Sequence, residues 1–580
     1  MKKENLVSDI LPDKLPQEDL VNKLAGLGFN IKQLNLDEIK LLGEIFTTPP
    51  SSTPPIGVPI RKGAQDNRNG RPGFDTEVGE MMVGVATKDV YGNSIEVTTD
   101  AIFTVGETIN GYTPTGILDG LGAYKLNGNT VRVLANSELG RSVGYAYDLE
   151  DVSGLTGARI SYFDIDIKTR TIVDAGLAYD KIYDRQGNIV TNASQINEIG
   201  SNTQGFDRFC SGQLFEAHAF ANGSGFEDRL YITGEEADNG SFWALDTATG
   251  DIWAAPDLAR GAWESATALN TGTSDKIALL LGDDEASAPL YLYVGTKGED
   301  VNNDGKIDFL ERNGLSGGDL YVWGSNTGEL NPQEFNGTGN SLSGNWIEIA
   351  ARDITKAGEP GYDALGYKDD TTLRAEADSL GAFSFSRPED LHTNPFNDTQ
   401  AVFASTGRGQ LFPSDNYGTT YIVDTSFNSN GDPLLGNMTI LYDGDDADKK
   451  TEGLRSPDNL VWGNDGLIYV QEDKSTFNNV GGFGTEEASI WQLDPLNPGS
   501  AIRLTQIDRS AVPNGQSDSS PTDIGNWETS GIIDVTDLFA SENQLFLFDV
   551  EAHSVRDGSI GGNSNLVQGG QLLFMEINHL

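Results

Sequence analysis

VRVLANSE, residues 131–138, is a short apolar run that ends in a carboxylate, and the same design returns along the chain. It reappears as RLYITGEE from Arg229, LYLYVGTK from Leu290, AVFASTG from Ala401, LIYVQED from Leu467 and QLFLFDV from Gln544. Short runs of apolar and β-branched residues bounded by Gly, Asn and Asp are strand signals. Intervals of roughly 60 to 100 residues suit four-stranded propeller blades that carry insertions. A second strand type ends in an aromatic-x-x-Asp turn: YFDIDIKTR from Tyr162, FWALDTATG from Phe242 and IWQLDPLNPG from Ile490. These read as outer hairpins of the same blades. The expected fold is all-β, a six-bladed β-propeller with insertions, with DLYVWG at Asp319 as a further strand outside the count of six. If the recurrent strands are the inner ones, they converge on a central channel, where Glu138, Glu235, Glu236, Glu472 and Asp473 would meet.

The N-terminal part differs. Residues 15–45 place Leu and Ile at helical spacing, as two short amphipathic helices would, and TTPPSSTPPIGVP follows as an extended linker. This divides the chain into a helical leader over 1–47, a Pro-rich linker over 48–80 and a propeller over 81–580. No run reaches the roughly 18 apolar residues that a bilayer span requires. Neither an apolar signal core nor a twin arginine is present at the start, so no signal peptide is recognisable.

Charge narrows the partners. There are 39 Lys and Arg against 87 Asp and Glu, a net charge of −48. Such a chain repels nucleic acid and anionic lipid surfaces, and cations are its natural partners. Much of the excess is a solvated acidic surface. Cys210 is the single cysteine, so no intramolecular disulfide can form.

Two constellations point to metal ions. Asp300-Val-Asn302-Asn-Asp304-Gly305-Lys306-Ile-Asp308-Phe-Leu-Glu311 fits the twelve-residue EF-hand loop at each ligand position. Asp300, Asn302, Asp304, the Lys306 carbonyl, Asp308 and Glu311 would hold calcium, with Gly305 at the sharp turn. Because strands rather than long helices are expected to flank it, the loop reads as a structural calcium clip on a blade insertion.

The second constellation is dispersed: Glu138, Cys210, Glu235 and Glu236, Glu264, Asp283 and Asp284, Arg387 and Glu389, and Glu528, each at or near the end of a short strand. Any one alone is an ordinary surface carboxylate. Hard calcium prefers carboxylate oxygens and a thiolate suits a softer transition metal, so one Cys among many acids argues for a mixed-metal site. Phosphoryl transfer asks for charge neutralisation and an in-line nucleophile, and a guanidinium grips phosphate oxygens bidentately. An acidic protein binds phosphate only where metals reverse the local sign of the field. On these grounds alone Arg387 is equally a buried salt-bridge partner of Glu389.

The order of elements resembles the PhoX family of alkaline phosphatases. It runs Asn136-Ser-Glu138, Cys210-Ser-Gly212, Glu235-Glu236, Gly261-Ala-Trp-Glu264, Gly282-Asp283-Asp284, Tyr293-Val-Gly-Thr-Lys297, Asn313-Gly-Leu315, Arg387-Pro-Glu389, Ser456-Pro-Asp458-Asn459 and Glu528-Thr-Ser-Gly531. The resemblance implies a six-bladed propeller with two irons bridged by a cysteine thiolate and three calcium ions at the channel mouth. It implies Cys210 as the bridging thiolate, and Glu138, Glu235, Glu264, Asp284, Glu389 and Glu528 as iron or calcium ligands, undivided between the metals. It also implies Arg387 as the phosphate-binding residue, with Asn239 as a second phosphate contact, small phosphoesters as substrates and an extracellular or periplasmic location. Where the family usually carries Thr-Pro-Trp-Gly-Thr after the cysteine turn, this chain has GQLFEAHAFANGSGFEDRL, whose Glu216 and His218 are candidate replacement ligands. The twin-arginine signal usual in the family is also missing. Two other function classes fit the composition: a non-catalytic, calcium-stabilised binding propeller, and a calcium-dependent lactonase-like hydrolase suggested by SPDNLVWGNDGLIYVQED.

Overall fold

A computed structural model describes residues 79–196, 204–220, 223–407, 411–450, 453–473, 486–556, 560 and 564–580. The expected leader over 1–47 and nearly all of the linker lie outside the described residues.

The regular structure of the described residues is almost entirely strand, with two short α-helices, α1 (Phe309–Arg312) and α2 (Asp370–Leu380). Six strands line the middle: β1 (Leu118–Asn127), β2 (Gly212–Phe215), β3 (Trp263–Leu269), β4 (Pro388–Asn394), β5 (Pro457–Trp462) and β6 (Glu528–Asp534). Each packs against the next, and β6 returns to β1, so the ring is closed. From these strands the sheets run outward, antiparallel except where Lys181–Tyr183 joins Asp251–Ala254 in parallel, the propeller-like arrangement expected of the sequence.

The expectation of six separate blades is corrected. The strands form four blade-like sheets of four or five strands and one sheet of nine. In the nine-stranded sheet the outer strand Ser341–Ile349 pairs with Pro433–Asp443, with Ser341 opposite Thr439. Its two edge strands, β3 and β4, lie side by side, so this sheet curls nearly into a barrel. Elsewhere the ring is fastened by strand Ile95–Thr104, which pairs with Gly569–His579 from Ile95 opposite His579 to Thr104 opposite Gln571. Between sheets the contacts are apolar and aromatic: the rings of Tyr469 and Phe546 lie 4.2 Å apart.

The recurrent apolar strands are not the innermost ones, a second correction. Thr130–Ser137, Leu230–Gly234, Asn397–Ser405, Ile468–Glu472 and Gln544–Ala552 lie one step out from the channel, and Tyr291–Thr296 lies two steps out. Strands covered on both faces read as continuous apolar runs, which is why these dominate the sequence signal. The aromatic-x-x-Asp segments do form outer hairpins, Arg159–Asp166 with Ile172–Leu177, Phe242–Asp246 with Asp251–Ala254, and Ser489–Leu493 with Ala501–Ile507. Their aspartates make the turns: Asp166 accepts from the Thr169 N–H at 2.8 Å, Asp246 from Ala248 at 2.9 Å and Asp494 from Leu496 at 2.9 Å. Among the described residues no helix is long and apolar enough to cross a membrane.

Candidate metal centre

Antiparallel pairing sets the start of one strand beside the end of its neighbour. Leu118 faces Ser137, Gly212 faces Thr233, Trp263 faces Asp283, Pro388 faces Ser405, Pro457 faces Glu472 and Glu528 faces Glu551. The start of each inner strand and the end of its partner therefore open at one end of the ring, and residues there are drawn from around the circle. Backbone bonds fasten these ends across strands: Gly120 N–H to Cys210 O at 2.7 Å, Glu138 N–H to Ile117 O at 2.8 Å, Asp284 N–H to Ala262 O at 2.7 Å and Asp473 N–H to Ser456 O at 3.0 Å.

Five inner strands carry a register shift at this end, between Asp119 and Leu121, Trp263 and Ala266, Pro388 and Leu391, Pro457 and Leu460, and Ser530 and Ile532. A bulge suspends the alternation of faces and re-aims side chains, so consecutive residues can both serve the channel. Glu389 and Asp390 illustrate this. Glu389 meets Arg387 at 3.1 Å, while Asp390 accepts from Ser211 Oγ at 3.1 Å and from the Leu391 and Leu460 amides at 2.8 and 3.0 Å, tying three inner-strand segments together beneath the acids.

The acids form a belt of overlapping groups whose ligand atoms lie within 4.8 Å of one another: Asp119, Glu138 and Cys210; Cys210, Glu236 and Glu264; Glu264, Glu389 and Asp458; Asp458, Asp473 and Glu528; Glu528, Glu551 and His553. Cys210 is 5% exposed, Glu264 2% and Glu389 2%. The Cys210 thiol lies 2.6 Å from Glu236 Oε2. Burial, then the charges of Glu138, Glu236 and Glu264, push that thiol well up. Burial and neighbouring carboxylates likewise raise Glu264, Glu389, Asp458 and Asp119 well above the carboxylate range, and burial lifts Glu236 to about 8. Two guanidiniums answer this charge. Arg387 donates from Nε and Nη2 to the two oxygens of Asp284, each at 2.6 Å, and its Nη1 lies 3.9 Å from Asp473. Arg208 forms an ion pair with Glu138 at 2.6 Å and donates to Glu236, with Nη2 3.9 Å from Cys210 Sγ.

Carboxylates crowded out of water repel one another unless cations or protons intervene. The donor set, many buried oxygens around one sulfur, fits a group of metal ions in which hard and softer cations share ligands.

The structure gathers Glu138, Cys210, Glu264, Glu389 and Glu528 in this belt. It does not gather Glu235. That carboxylate accepts from the Asp207 and Ser241 amides at 3.0 and 3.2 Å, and burial, then Asp207, raises it to about 7. Glu472 likewise accepts from the Arg455 amide at 3.1 Å. In both Glu235-Glu236 and Glu472-Asp473 the first residue turns into the sheet and the second reaches the mouth. Asp284 is taken by Arg387, while Asp283 accepts from Arg374 of α2 at 2.6 and 2.8 Å. Asn239 pairs with Asp370 at the start of α2, accepting from its N–H at 3.1 Å, and makes its contact there rather than with Arg387. Glu216 and His218 follow β2 while Cys210 precedes it, so they lie at the opposite end of the ring, Glu216 bound to Arg229 at 2.9 Å and His218 3.7 Å from Glu227. As replacement ligands they are excluded by position.

The EF-hand-like loop also leaves the far end, because Thr296 pairs with Lys276 at the start of the strand whose last residue, Asp283, is at the mouth. Asp300 accepts from the Gly305 N–H at 3.0 Å and from Asp304 at 3.1 Å. Glu311, 2% exposed in α1, folds back to accept from Val301 at 2.8 Å, Asn302 at 3.2 Å and Asp308 at 3.1 Å. Asp308 caps α1 through the Glu311 N–H at 2.9 Å, and Lys306 donates its N–H to Asp304 at 2.8 Å.

Sequence reasoning left Asp119, Asp458, Glu551, His553 and Arg208 off the site, and placed Asp473 in the channel without naming it a ligand. Asp458 and Asp473 sit in segments already singled out, whereas Asp119 and Arg208 carry no local signal. Away from the belt, a cavity of about 610 Å³ is lined by Tyr112, Tyr124, Tyr145, Tyr147 and Tyr162, with none of the clustered acids in its wall.

Comparison with known proteins bears on this site. The family model for alkaline phosphatase PhoX matches residues 231–494. The structure of Pseudomonas fluorescens PhoX in complex with vanadate, a transition state analogue, is similar at a TM-score of 0.54 and 16% identity, covering 86% of this chain and 98% of that one. That likeness bears on the fold. The Dos1 propeller matches at a TM-score of 0.26 and 10% identity, covering 76% and 81% of the two chains. Trypanosoma rangeli sialidase in complex with the inhibitor DANA matches at 0.24 and 9%, covering 68% and 57%. Both are too remote to carry an argument. No curated protein sequence matches the chain.

Proposed function

Because the chain belongs to the PhoX alkaline phosphatase family, we propose that it is a metal-dependent phosphomonoester hydrolase releasing phosphate from small organic phosphoesters. The observation that carries this is the convergence of Cys210, Glu138, Glu236, Glu264, Glu389, Asp458 and Glu528 at one end of the ring, with Arg387 among them. Cys210 and the nearest acids would hold iron, and the remaining belt calcium. When bound, these cations supply the positive charge that an anionic substrate needs and activate the oxygen that attacks phosphorus.

The chain's own contribution is binding and orientation. Asp284 fixes the Arg387 guanidinium through two hydrogen bonds, so its remaining N–H groups are aimed without further ordering. Arg387 grips the phosphoryl oxygens, and their charge is spread toward it as the P–O bond breaks. The Thr406 hydroxyl lies within hydrogen-bond distance of Glu389 and, at 3.0 Å, of Pro457 O, holding the acid beside Arg387 in place. At the far end, Asp300, Asn302, Asp304, the Lys306 carbonyl, Asp308 and Glu311 form a separate calcium clip.

The protein works outside the cytoplasm, as an extracellular or periplasmic enzyme, where calcium sites of modest affinity stay filled.

Elemental analysis of purified protein, with assays on an aryl phosphate, tests the function. Iron with several calciums, and phosphate release abolished in Cys210→Ser, are expected. Calcium without iron, with lactone or ester hydrolysis or with no hydrolysis, would overturn it in favour of a lactonase-like enzyme or a binding scaffold.

A further inference from the structure

Arg208 differs from the other cations near the belt. Its side chain is 44% exposed, against 22% for Arg387, although it reaches Glu138, Glu236 and the Cys210 sulfur. Its closest contacts with the acids use Nε, 3.1 Å from Glu236, and Nη2. Its backbone has φ +43°, a left-handed conformation that an Arg adopts only where its surroundings hold it. The surroundings do so on both sides: its N–H donates to Leu139 O at 2.9 Å, and its carbonyl accepts from the Glu236 N–H at 2.9 Å. Residues held in such regions cluster at functional sites.

One acid, Glu264, links the surroundings of the two guanidiniums. Arg208 lies over Glu236 and Cys210, Arg387 over Glu389, and Glu264 belongs to both acidic groups. A tetrahedral phosphoryl group presents three non-bridging oxygens, of which one guanidinium engages two. The third faces away from Arg387.

We infer that Arg208 is a second phosphate-binding residue, contacting the phosphoryl group of a monoester from the side opposite Arg387. This rests on the phosphatase reading. Once cations neutralise Glu138 and Glu236, the guanidinium is released from them while its backbone keeps it at the mouth, and the incoming dianion becomes its strongest partner. The competing role is internal: a counter-ion that merely holds Glu138, Glu236 and Cys210 together.

The test uses metal-replete protein and inorganic phosphate as the probe. Phosphate binding is measured by calorimetry, KM and kcat with an aryl phosphate, and metal content by elemental analysis, for wild type, Arg208→Gln and Arg208→Lys. Expected for Arg208→Gln is a loss of about tenfold or more in phosphate affinity and a matching rise in KM, as one charge-assisted contact warrants. Metal content stays at the wild-type level, and Arg208→Lys regains part of the affinity. Unchanged phosphate affinity in Arg208→Gln overturns the inference, as does a loss of metals in both variants that parallels the loss of affinity. Wild-type protein that neither binds nor releases phosphate defeats the phosphatase reading itself; wild type that does both, beside an Arg208→Gln of equal affinity, defeats only this one.

Discussion

Asp284 receives two hydrogen bonds of 2.6 Å from Arg387, one on each carboxylate oxygen, and its side chain is 2% exposed. Burial works against its charge, but Arg387 outweighs burial and keeps the acid below its ordinary range. The pair is a fixed support for one free edge of the guanidinium. Asp284→Asn is therefore expected to lower kcat/KM about tenfold, and Arg387→Lys, which removes the planar fork, about a hundredfold. Steady-state kinetics with metal content checked in parallel decides it; an Arg387→Lys enzyme of normal kcat/KM would rule out a phosphoryl contact.

Cys210 should give up a proton when cations arrive. Its thiol is held protonated by burial and by Glu138, Glu236 and Glu264, yet only a thiolate ligates metal. Adding metals to chelator-treated protein in weak buffer near neutral pH is expected to release protons, and Cys210→Ser to release fewer while losing iron and activity together.

Stability should fall more steeply with rising pH without cations than with them. Glu235 is raised from 4.5 to about 7, and Glu236 and Glu472 to about 8, with burial the main cause. A folded-state value above the unfolded one means that the fold gains from protonation at low pH and loses that gain as pH climbs through the folded value. Cation-free protein is thus expected to melt at progressively lower temperature from about pH 4.5 to about pH 8. Cations bound in the belt replace the proton on Glu236 but not those on Glu235 and Glu472, so they should offset part of the decline, and the gap between melting curves with and without chelator widens as pH rises. A gap that does not change with pH would mean that the belt binds no cations.

Glu311 offers a test separate from catalysis. Glu311→Gln is expected to remove one calcium per chain and to lower the calcium-dependent melting temperature by about 2 °C or less, because one site's linkage is small against a fold of this size. Its kcat should equal wild type, since the loop leaves the ring at the end opposite the belt. Full calcium occupancy in the variant would remove the clip.

Asp390 carries no proposed metal but joins Ser211 to the Leu460 and Leu391 amides. Asp390→Ala strands buried donors from two other segments and is expected to cost about 3 kcal/mol. Chemical denaturation measures this; a loss within experimental error would show that the inner strands do not need the bridge.

The all-β class and the outer hairpins were legible because strands packed on both faces, such as Leu230–Gly234 and Ile468–Glu472, are unbroken apolar runs. The inner strands were not. Leu118–Asn127 and Pro388–Asn394 mix acids, glycine and polar residues and carry bulges, so neither alternation nor a continuous run marks them. For that reason the channel was assigned to the wrong strands, and Glu235 was preferred to Glu236. A one-residue difference in facing separates those two, and no local preference encodes it. The joining of Ser341–Ile349 to Pro433–Asp443 was invisible for another reason: it depends on the paths of distant loops. Asp119 and Arg208 acquire their meaning only when strands remote in sequence are side by side.

The pairing of Ile95 with His579 has a bearing on biosynthesis. A nascent polypeptide that has threaded past Asp119, Cys210 and Glu389 still lacks the segment that locks the circle, and a fragment without Gly569–His579 is expected to leave Ile95–Thr104 without its sheet neighbour.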